Sequence, residues 1–382
     1  MPLPDPSPRV PFNDTSRVFL AHEGRLRDAI QDALQGGRWL FGTHTERFSR
    51  EFADFCGTQY CLPVANGTDA LELALRALIA PNDGQIREVI TVANAGGYTT
   101  TACRLVGAVP VYADINESDQ LVNSESLLRC LGPDVAAVTV THLYGGVVDV
   151  VRIRDQMQAL GFGHIPIIED CSQAHGARLV DRRVGSMGDL GVFSFYPTKN
   201  LGAMGDAGAI VTSNGSLFEK LRATSQYGWA RKYHVQLPYG RNSRMDEVQA
   251  AVLSSLLPYL DEYNTIRRGF YERYTSCVGG GLRPLVYSRG EQVAHLAVLR
   301  AEDRGGFVRF MAEQGVATDM HYPVLDCDQE GWRNLPMRLD PESNLEISRR
   351  AVTEIVSIPC FPLLEDAELT HICSALESWE KR

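Results

Sequence analysis

Seven short, nearly unbroken apolar runs with helical patterns between them constrain this chain more than any other feature. They lie near Tyr60 to Ala65, Val89 to Val92, Val109 to Asp114, Val135 to Val140, Ile165 to Glu169, Gly191 to Phe195 and Ala209 to Thr212. A strand with one face in water alternates apolar and polar residues, whereas a continuous apolar run needs cover on both faces. Segments such as Asp149 to Leu160 and Leu217 to Gln226 have the helical spacing that supplies this cover. The pattern predicts an α/β fold built on a mainly parallel, seven-stranded, doubly wound sheet. Past Arg244 the pattern changes to a long helix running into Tyr274, with a kink expected at Pro258. A strand over Val293 to Arg300 and a helix over Arg304 to Gln314 then read as a smaller α+β domain. The expected division is 1–245 for the large domain with an N-terminal arm, and 246–382 for the bridging helix and small domain.

Ligands of such sheets sit beyond the carboxyl ends of the strands, so the residues that close each run are candidates for chemistry. Lys199 ends the small, apolar and aromatic stretch Gly191-Val192-Phe193-Ser194-Phe195-Tyr196-Pro197-Thr198, just before the glycine-rich turn Gly202 to Gly208. Poor solvation there lowers the pKa of an ammonium and frees the amine to condense with an aldehyde or ketone. The plain alternative is a surface lysine in a strand-to-loop turn. Asp170 closes the run Pro166-Ile167-Ile168-Glu169, and Gln173 follows three residues on. A buried carboxylate in that place suits pyridoxal phosphate, whose ring accepts electrons while its nitrogen stays protonated. Gln173 is then in reach of the ring's phenolic oxygen. Asp170 reads equally well as a helix cap after a strand.

A phosphate needs its own cradle. Ala65-Asn66-Gly67-Thr68-Asp69-Ala70-Leu71 joins a strand to a helix with Leu71, Leu75 and Leu78 on one face, so free N–H groups and the positive helix end converge on Gly67 and Thr68. Asn-Gly is also a hairpin signal, but the helical residues after it argue against a hairpin. Among the aromatic residues, Tyr98 in Asn94-Ala95-Gly96-Gly97-Tyr98-Thr99-Thr100 is the candidate to stack on the cofactor ring. A core tyrosine at a helix start is the competing reading. Arg231-Lys232-Tyr233-His234 beside Trp229 forms a local basic and aromatic spot suited to a diphosphate and base, or else a solvated loop with incidental charge.

The ordered motifs Asn66 to Leu71, Glu169 to Gly176, Ser194 to Asn200, Gly240 to Ala251 and His321-Tyr322-Pro323 resemble the DegT/StrS family of sugar-nucleotide aminotransferases, with the likeness running from about Phe12 to the end of the chain. The resemblance implies a pyridoxal-phosphate fold-type I enzyme in which Lys199 carries the cofactor, Asp170 faces the pyridine nitrogen and Gln173 faces the phenolic oxygen. It gives Ser194, Gly67 and Thr68 to the phosphate, and His321 and Tyr322 to the sugar end of the pocket. It also implies a homodimer with shared active sites, because the asparagine matching Asn242 reaches the cofactor phosphate of the neighbouring subunit. Two departures stand out. Tyr98 lies about two residues nearer to Gly107-Ala108-Val109-Pro110 than the family's stacking aromatic, and Val324-Leu325-Asp326-Cys327 lacks the family's frequent second histidine.

The implied reaction is a transamination from an amino-acid donor, glutamate, to a nucleotide-linked ketosugar. The stretch Gln226 to Arg231 with Asn242-Ser243-Arg244-Met245 is more similar to members that aminate C3 of a dTDP-3-keto-6-deoxyhexose than to those acting at C4. The related dehydratases replace the lysine with histidine, and Lys199 is present. A regulator that binds the cofactor without turnover is a further alternative. A dinucleotide enzyme would carry Gly-x-Gly-x-x-Gly after the first strand, and here that stretch lacks it.

Composition narrows the partners. A chain of 382 residues, 44% hydrophobic and 22% charged, is globular, and a net charge of −10 offers nucleic acids no general basic field. Nine cysteines, odd in number and without a Cys-x-x-Cys pair, point to a reducing compartment rather than to disulfides or zinc. Met1 to Pro11 holds five prolines and no apolar segment, and no apolar run approaches a membrane span. The expectation is a soluble cytoplasmic protein with no metal and no membrane partner.

Overall fold

The computed structural model describes residues 9–79, 85–287 and 289–381. All seven expected strands form: β1 (Tyr60–Val64), β2 (Glu88–Val92), β3 (Val109–Ala113), β4 (Val135–Thr141), β5 (Ile167–Asp170), β6 (Leu190–Ser194) and β7 (Gly208–Thr212). Their spatial order is β1-β7-β6-β5-β4-β2-β3. The β3-β2-β4-β5-β6 run is parallel, while β7 lies antiparallel to both β6 and β1. Every residue of β5 and β7 is buried, as unbroken apolar strands between two helical layers require.

An eighth strand, unforeseen from the sequence, extends the far edge. Arg338–Leu339 pairs parallel with Val111 and Tyr112 of β3. Two residues have no periodicity to read, and this strand is held by side chains instead: Arg338 pairs with Glu88 at 2.6 Å and donates to the Cys130 carbonyl. The adjacent Asp340, buried against Ser126 and Arg129, pins the strand's exit. One strand of the large sheet therefore comes from the C-terminal third of the chain.

The expected long helix is two helices, Glu247–Leu256 and Leu260–Ser276, joined by a tight turn at Leu257–Tyr259 that contains Pro258. A proline lacks the N–H that a continuous helix needs there. Glu247 accepts backbone N–H groups from Gly42, His44 and Thr45, and so caps the helix Thr43–Cys56 packed beside it. A separate antiparallel sheet follows, made of β8 (Leu282–Pro284), β9 (Ala297–Ala301) and Ile355–Ile358. Helices Arg304–Glu313 and Asp366–Trp379 cover it over a core of Phe307, Phe310, Tyr274 and Leu376. The strand expected over Val293 to Arg300 begins four residues later, at Ala297, because Val293 to Leu296 turn back against Tyr144 and Gly145. The N-terminal arm enters as a helix over Thr15–Ala21, tied to the small sheet's helices by Arg17 and Glu368 at 2.7 Å.

Candidate active site

The register of the large sheet gathers three chain segments at one end. Gly208, the first residue of β7, stands opposite both Val64 and Ser194, the last residues of β1 and β6. The turn after β1 consequently lies against Ser194. A Cβ added at Gly67 would stand 2.6 Å from the Ser194 Cβ, so only glycine lets the two come this close. Asn66 caps the following helix, Gly67–Leu78, by accepting the Asp69 N–H at 2.8 Å, and its carbonyl takes the Ala70 N–H. The N–H groups of Gly67 and Thr68 are left without helical acceptors and face a cavity of about 720 Å³. The hairpin alternative at Asn66-Gly67 is excluded.

Asp170 ends β5 at the same level and is buried. Its Oδ1 accepts the Ser172 N–H at 3.1 Å in a local turn, and no helix follows, so the helix-cap alternative fails. Beneath it lies a fully buried pair. His142 Nδ1 accepts the Val148 N–H at 3.0 Å, which leaves the proton on Nε2 to be donated to Glu169 at 3.0 Å. Glu169 also takes the N–H groups of Gly185, Met187 and Gly188 at 3.0, 2.7 and 2.6 Å. Burial pushes the Glu169 carboxyl up, but these bonds outweigh it and hold it below its ordinary range. A stiff hydrogen-bonded base thus fixes the residue next to Asp170.

Lys199 follows β6 on a tight turn, its N–H donating to the Tyr196 carbonyl at 2.8 Å. Its side chain is half-buried in the cavity, and among the described residues its Nζ has no hydrogen-bond partner. Burial lowers its ammonium from 10.5 to about 8, partly opposed by the Asp170 carboxylate. The surface-lysine alternative therefore fails.

Gln173 is held between two tyrosines. Its Oε1 accepts the Tyr144 N–H at 2.7 Å, which directs Nε2 to the Tyr322 hydroxyl at 2.9 Å. Tyr322 packs over Gly96, where an added Cβ would stand 2.8 Å from the ring and the backbone has a positive φ of 77°. Tyr98 is the first residue of the helix Tyr98–Leu105, 46% exposed, with its ring edge-on to Tyr322 at 6.1 Å. A core tyrosine it is not. His321 accepts or donates at Nδ1 to Ser357 Oγ at 3.0 Å and stacks near Phe12, while its carbonyl receives the Tyr144 hydroxyl.

Nine of the residues singled out in the sequence line this one cavity: Gly67, Thr68, Tyr98, Asp170, Gln173, Ser194, Lys199, His321 and Tyr322. Three do not. Asn242 is exposed and lines a separate pocket with Leu40, Ala65, Asp206, Arg244, Asp246 and Gln249. Trp229 and Arg231 sit on a two-stranded ribbon, Trp229–Arg231 with His234–Val235, outside the cavity. Trp229 packs between Tyr227 and Tyr233 at 4.9 and 5.4 Å, and Arg231 is exposed. Sequence reasoning missed Thr141, His295 and Asp319, which also line the cavity. His295 was hidden inside a run read as strand, and nothing local marks the other two.

A model of the DegT/DnrJ/EryC1/StrS aminotransferase family matches residues 21–377. The chain belongs to that family. It is 34% identical to the dTDP-3-amino-3,4,6-trideoxy-alpha-D-glucose transaminase of Streptomyces venezuelae over 98% of this chain and 97% of that one. It is 35% identical to the dTDP-3-amino-3,6-dideoxy-alpha-D-galactopyranose transaminase of Aneurinibacillus thermoaerophilus, over 97% and 99% of the two chains. Among solved structures, S. venezuelae DesV superposes with a TM-score of 0.91 at 34% identity, covering 98% of this chain and 99% of that one. The chain is therefore a sugar aminotransferase of the pyridoxal-phosphate fold-type I architecture. The cavity fits the cofactor on its own chemistry: free helix N-terminal N–H groups for the phosphate, a buried carboxylate for the pyridinium and an amine with a lowered pKa for the aldehyde. All nine cysteines are free, and among the described residues no helix is long and apolar enough to cross a membrane.

Proposed function

We propose that this aminotransferase moves an amino group from glutamate to C3 of a dTDP-3-keto-6-deoxyhexose. The observation that carries the reading is the meeting, in one cavity, of the Lys199 amine, the Asp170 carboxylate and the free N–H groups of Gly67 and Thr68. The sugar and its position rest on the kinship with transaminases named for dTDP-3-amino sugars. Pyridoxal phosphate, when bound, supplies the electron sink for breaking the C–H bond beside the transferred nitrogen.

The chain's own residues do the rest. Lys199 Nζ would hold the cofactor's aldehyde carbon and, as a free amine, would take the proton from the substrate carbon beside the transferred nitrogen. Asp170 holds a proton on the ring nitrogen. Gln173 Nε2 and the Tyr322 hydroxyl form the polar wall beside the phenolic oxygen, and Tyr98 covers the ring face. Gly67, Thr68 and Ser194 hold the phosphate. His321 and Tyr322 line the sugar end. In a homodimer, Asn242 serves the phosphate of the partner's site, and Trp229 with Arg231 serves its nucleotide. Their positions outside the cavity of their own chain support this shared arrangement.

Borohydride reduction of the yellow protein followed by peptide mass spectrometry should place the cofactor on Lys199. A label on another lysine overturns the assignment. Incubation with glutamate and a panel of 3-keto and 4-keto nucleotide sugars, read by NMR, should yield a 3-amino product, whereas a 4-amino product would move the reading to C4.

A further inference from the structure

None of Val324, Leu325, Asp326 and Cys327 lines the reaction cavity, yet this segment follows directly on His321-Tyr322-Pro323, which does. Asp326 is buried, flanked in the chain by Leu325 and Cys327 of a small apolar cluster that also holds Ala93 and Tyr112. Its Oδ2 accepts the Thr100 hydroxyl at 2.5 Å, and its backbone N–H donates to the Ala93 carbonyl at 2.8 Å. Thr100 Oγ1 also lies 3.0 Å from the Tyr112 hydroxyl. A threonine hydroxyl has one proton to give, so with Asp326 receiving it, Tyr112 is the donor to Thr100. This chain of bonds runs from β3, through the helix Tyr98–Leu105, to the loop that carries Tyr322.

Two further side-chain contacts join the same loop to the start of the same helix, and both are apolar. Tyr322 lies over Gly96 and Trp332 over Gly97, where an added Cβ would stand 2.8 Å from either ring and the backbone has φ of 77° and 83°. Flat rings on a pair of glycines make a contact without a preferred direction. A hydrogen bond has one, because it weakens steeply off its axis. The bond from Thr100 to Asp326 is thus the side-chain contact that sets where the helix start stands along the loop. Tyr322 is anchored separately, by Gln173 at 2.9 Å, so the place of Tyr98 relative to it follows from the Asp326 bond. Stability alone does not account for the acid. Burial pushes its carboxyl from 3.8 up to about 7 against the bonds from Thr100 and the Gly97 N–H, and among the described residues no cation offsets this. An acid so placed costs stability that an apolar side chain would not. What it supplies is direction.

We propose that Asp326 is a positioning residue for sugar binding: by accepting the Thr100 hydroxyl it fixes the spacing between Tyr98 and Tyr322, and with it the room left for the sugar. The inference rests on the proposed function, which gives His321 and Tyr322 to the sugar end of the cavity. Asp326 touches neither substrate nor cofactor and acts only through the two segments it joins. Lys199, Asp170 and the phosphate turn come from other elements, so breaking the bond leaves them in place. The loss therefore falls on the nucleotide sugar, which fills the rim, and spares the exchange with the smaller amino donor.

Four substitutions in the full chain separate this role from a purely structural one. For each, KM for the nucleotide ketosugar is set beside the rate at which glutamate bleaches the bound cofactor, and Tm is measured on the cofactor-free protein. Thr100→Val and Asp326→Ala both delete the bond, and each should raise the sugar KM about fivefold to tenfold while the glutamate rate stays within about twofold of wild type. The double variant should be no worse than either single one, because both remove the same contact. Asp326→Asn keeps an acceptor for Thr100 and should return KM to within about twofold of wild type. Tyr112→Phe removes only the outer hydroxyl, so it should lower Tm and leave KM alone. An unchanged KM in Thr100→Val and Asp326→Ala overturns the proposal. An equal rise in Tyr112→Phe does the same, since it would mark general loosening of the core, and so does a glutamate rate that falls in step with KM. Should Asp326→Ala not fold, Thr100→Val, which keeps the side chain's shape, decides. A wild type that accepts glutamate but no nucleotide ketosugar defeats the substrate reading and this proposal with it, whereas wild-type turnover matched by every variant defeats this proposal alone.

Discussion

The floor and the rim of the cavity are built differently. Asp170 and Ser194 are the last residues of buried strands, Gly67 opens a capped helix directly after β1, and Lys199 sits on a tight turn after β6. Tyr98, His321 and Tyr322 come instead from a helix start and a loop far apart in sequence, joined to each other by ring packing and to Tyr144 and Gln173 by single hydrogen bonds. The floor's geometry is set by sheet register, in which a slip would disrupt every neighbouring strand. The rim's geometry is set by side chains that can turn individually. The floor thus suits atoms whose positions never vary between substrates, such as a phosphate and a pyridine nitrogen, and the rim suits the part of the substrate that differs among relatives.

This contrast predicts a descending scale of effects. Asp170→Asn should retain the fold, because the amide oxygen still accepts the Ser172 N–H, yet turnover should drop about a hundredfold or more. The same change removes a charge that raises the Lys199 pKa, so its amine should titrate below the present value of about 8. Retained turnover would break the distinction between floor and rim.

Glu169→Gln acts one layer deeper and should appear in stability first. It sets an amide N–H among the donors of Gly185, Met187 and Gly188, at an expected cost of about 3 kcal/mol. Calorimetry should show a Tm several degrees lower. Because the folded Glu169 pKa lies below its unfolded value, its stabilisation is present above about pH 4.3 and is lost as the pH falls through the folded value. The Gln variant should therefore have a shallower acid limb in its stability curve. An acid limb identical to wild type would remove Glu169 from the account.

The smallest effect belongs to the rim. Tyr98→Ala should weaken cofactor retention about threefold to tenfold, with Tyr98→Phe near wild type, as judged by equilibrium dialysis. A loss as large as that of Asp170→Asn would erase the proposed difference between the two regions.

The floor was legible in the sequence because its signals are local. Gly67, Asp170 and Lys199 each end or follow an apolar run or start a helix, and period and punctuation place them. The family resemblance extended that reading to Ser194, His321 and Tyr322. Reading failed where position depends on contacts between distant segments. Trp229 and Arg231 have the right chemistry, but their ribbon turns them out of the cavity of their own chain. Arg338–Leu339 is too short for any periodicity and is held by an ion pair across 250 residues of sequence. His295 sits where the backbone folds back before β9, and it reaches the cavity wall through a contact with Asn200 that no local pattern marks.

The two-residue strand at 338–339 also bears on how substrate gets in. After β9 the chain supplies His321 and Tyr322, stitches itself to the edge of the large sheet at β3, and only then returns to the small sheet at Ile355–Ile358. Swinging the small sheet away as a rigid door would have to rip that stitch and the Arg338–Glu88 pair along with it. The stitch thus opposes any such swing, and Arg338→Ala, which loosens it, should change the rate of substrate entry seen by stopped flow without touching any group that does chemistry.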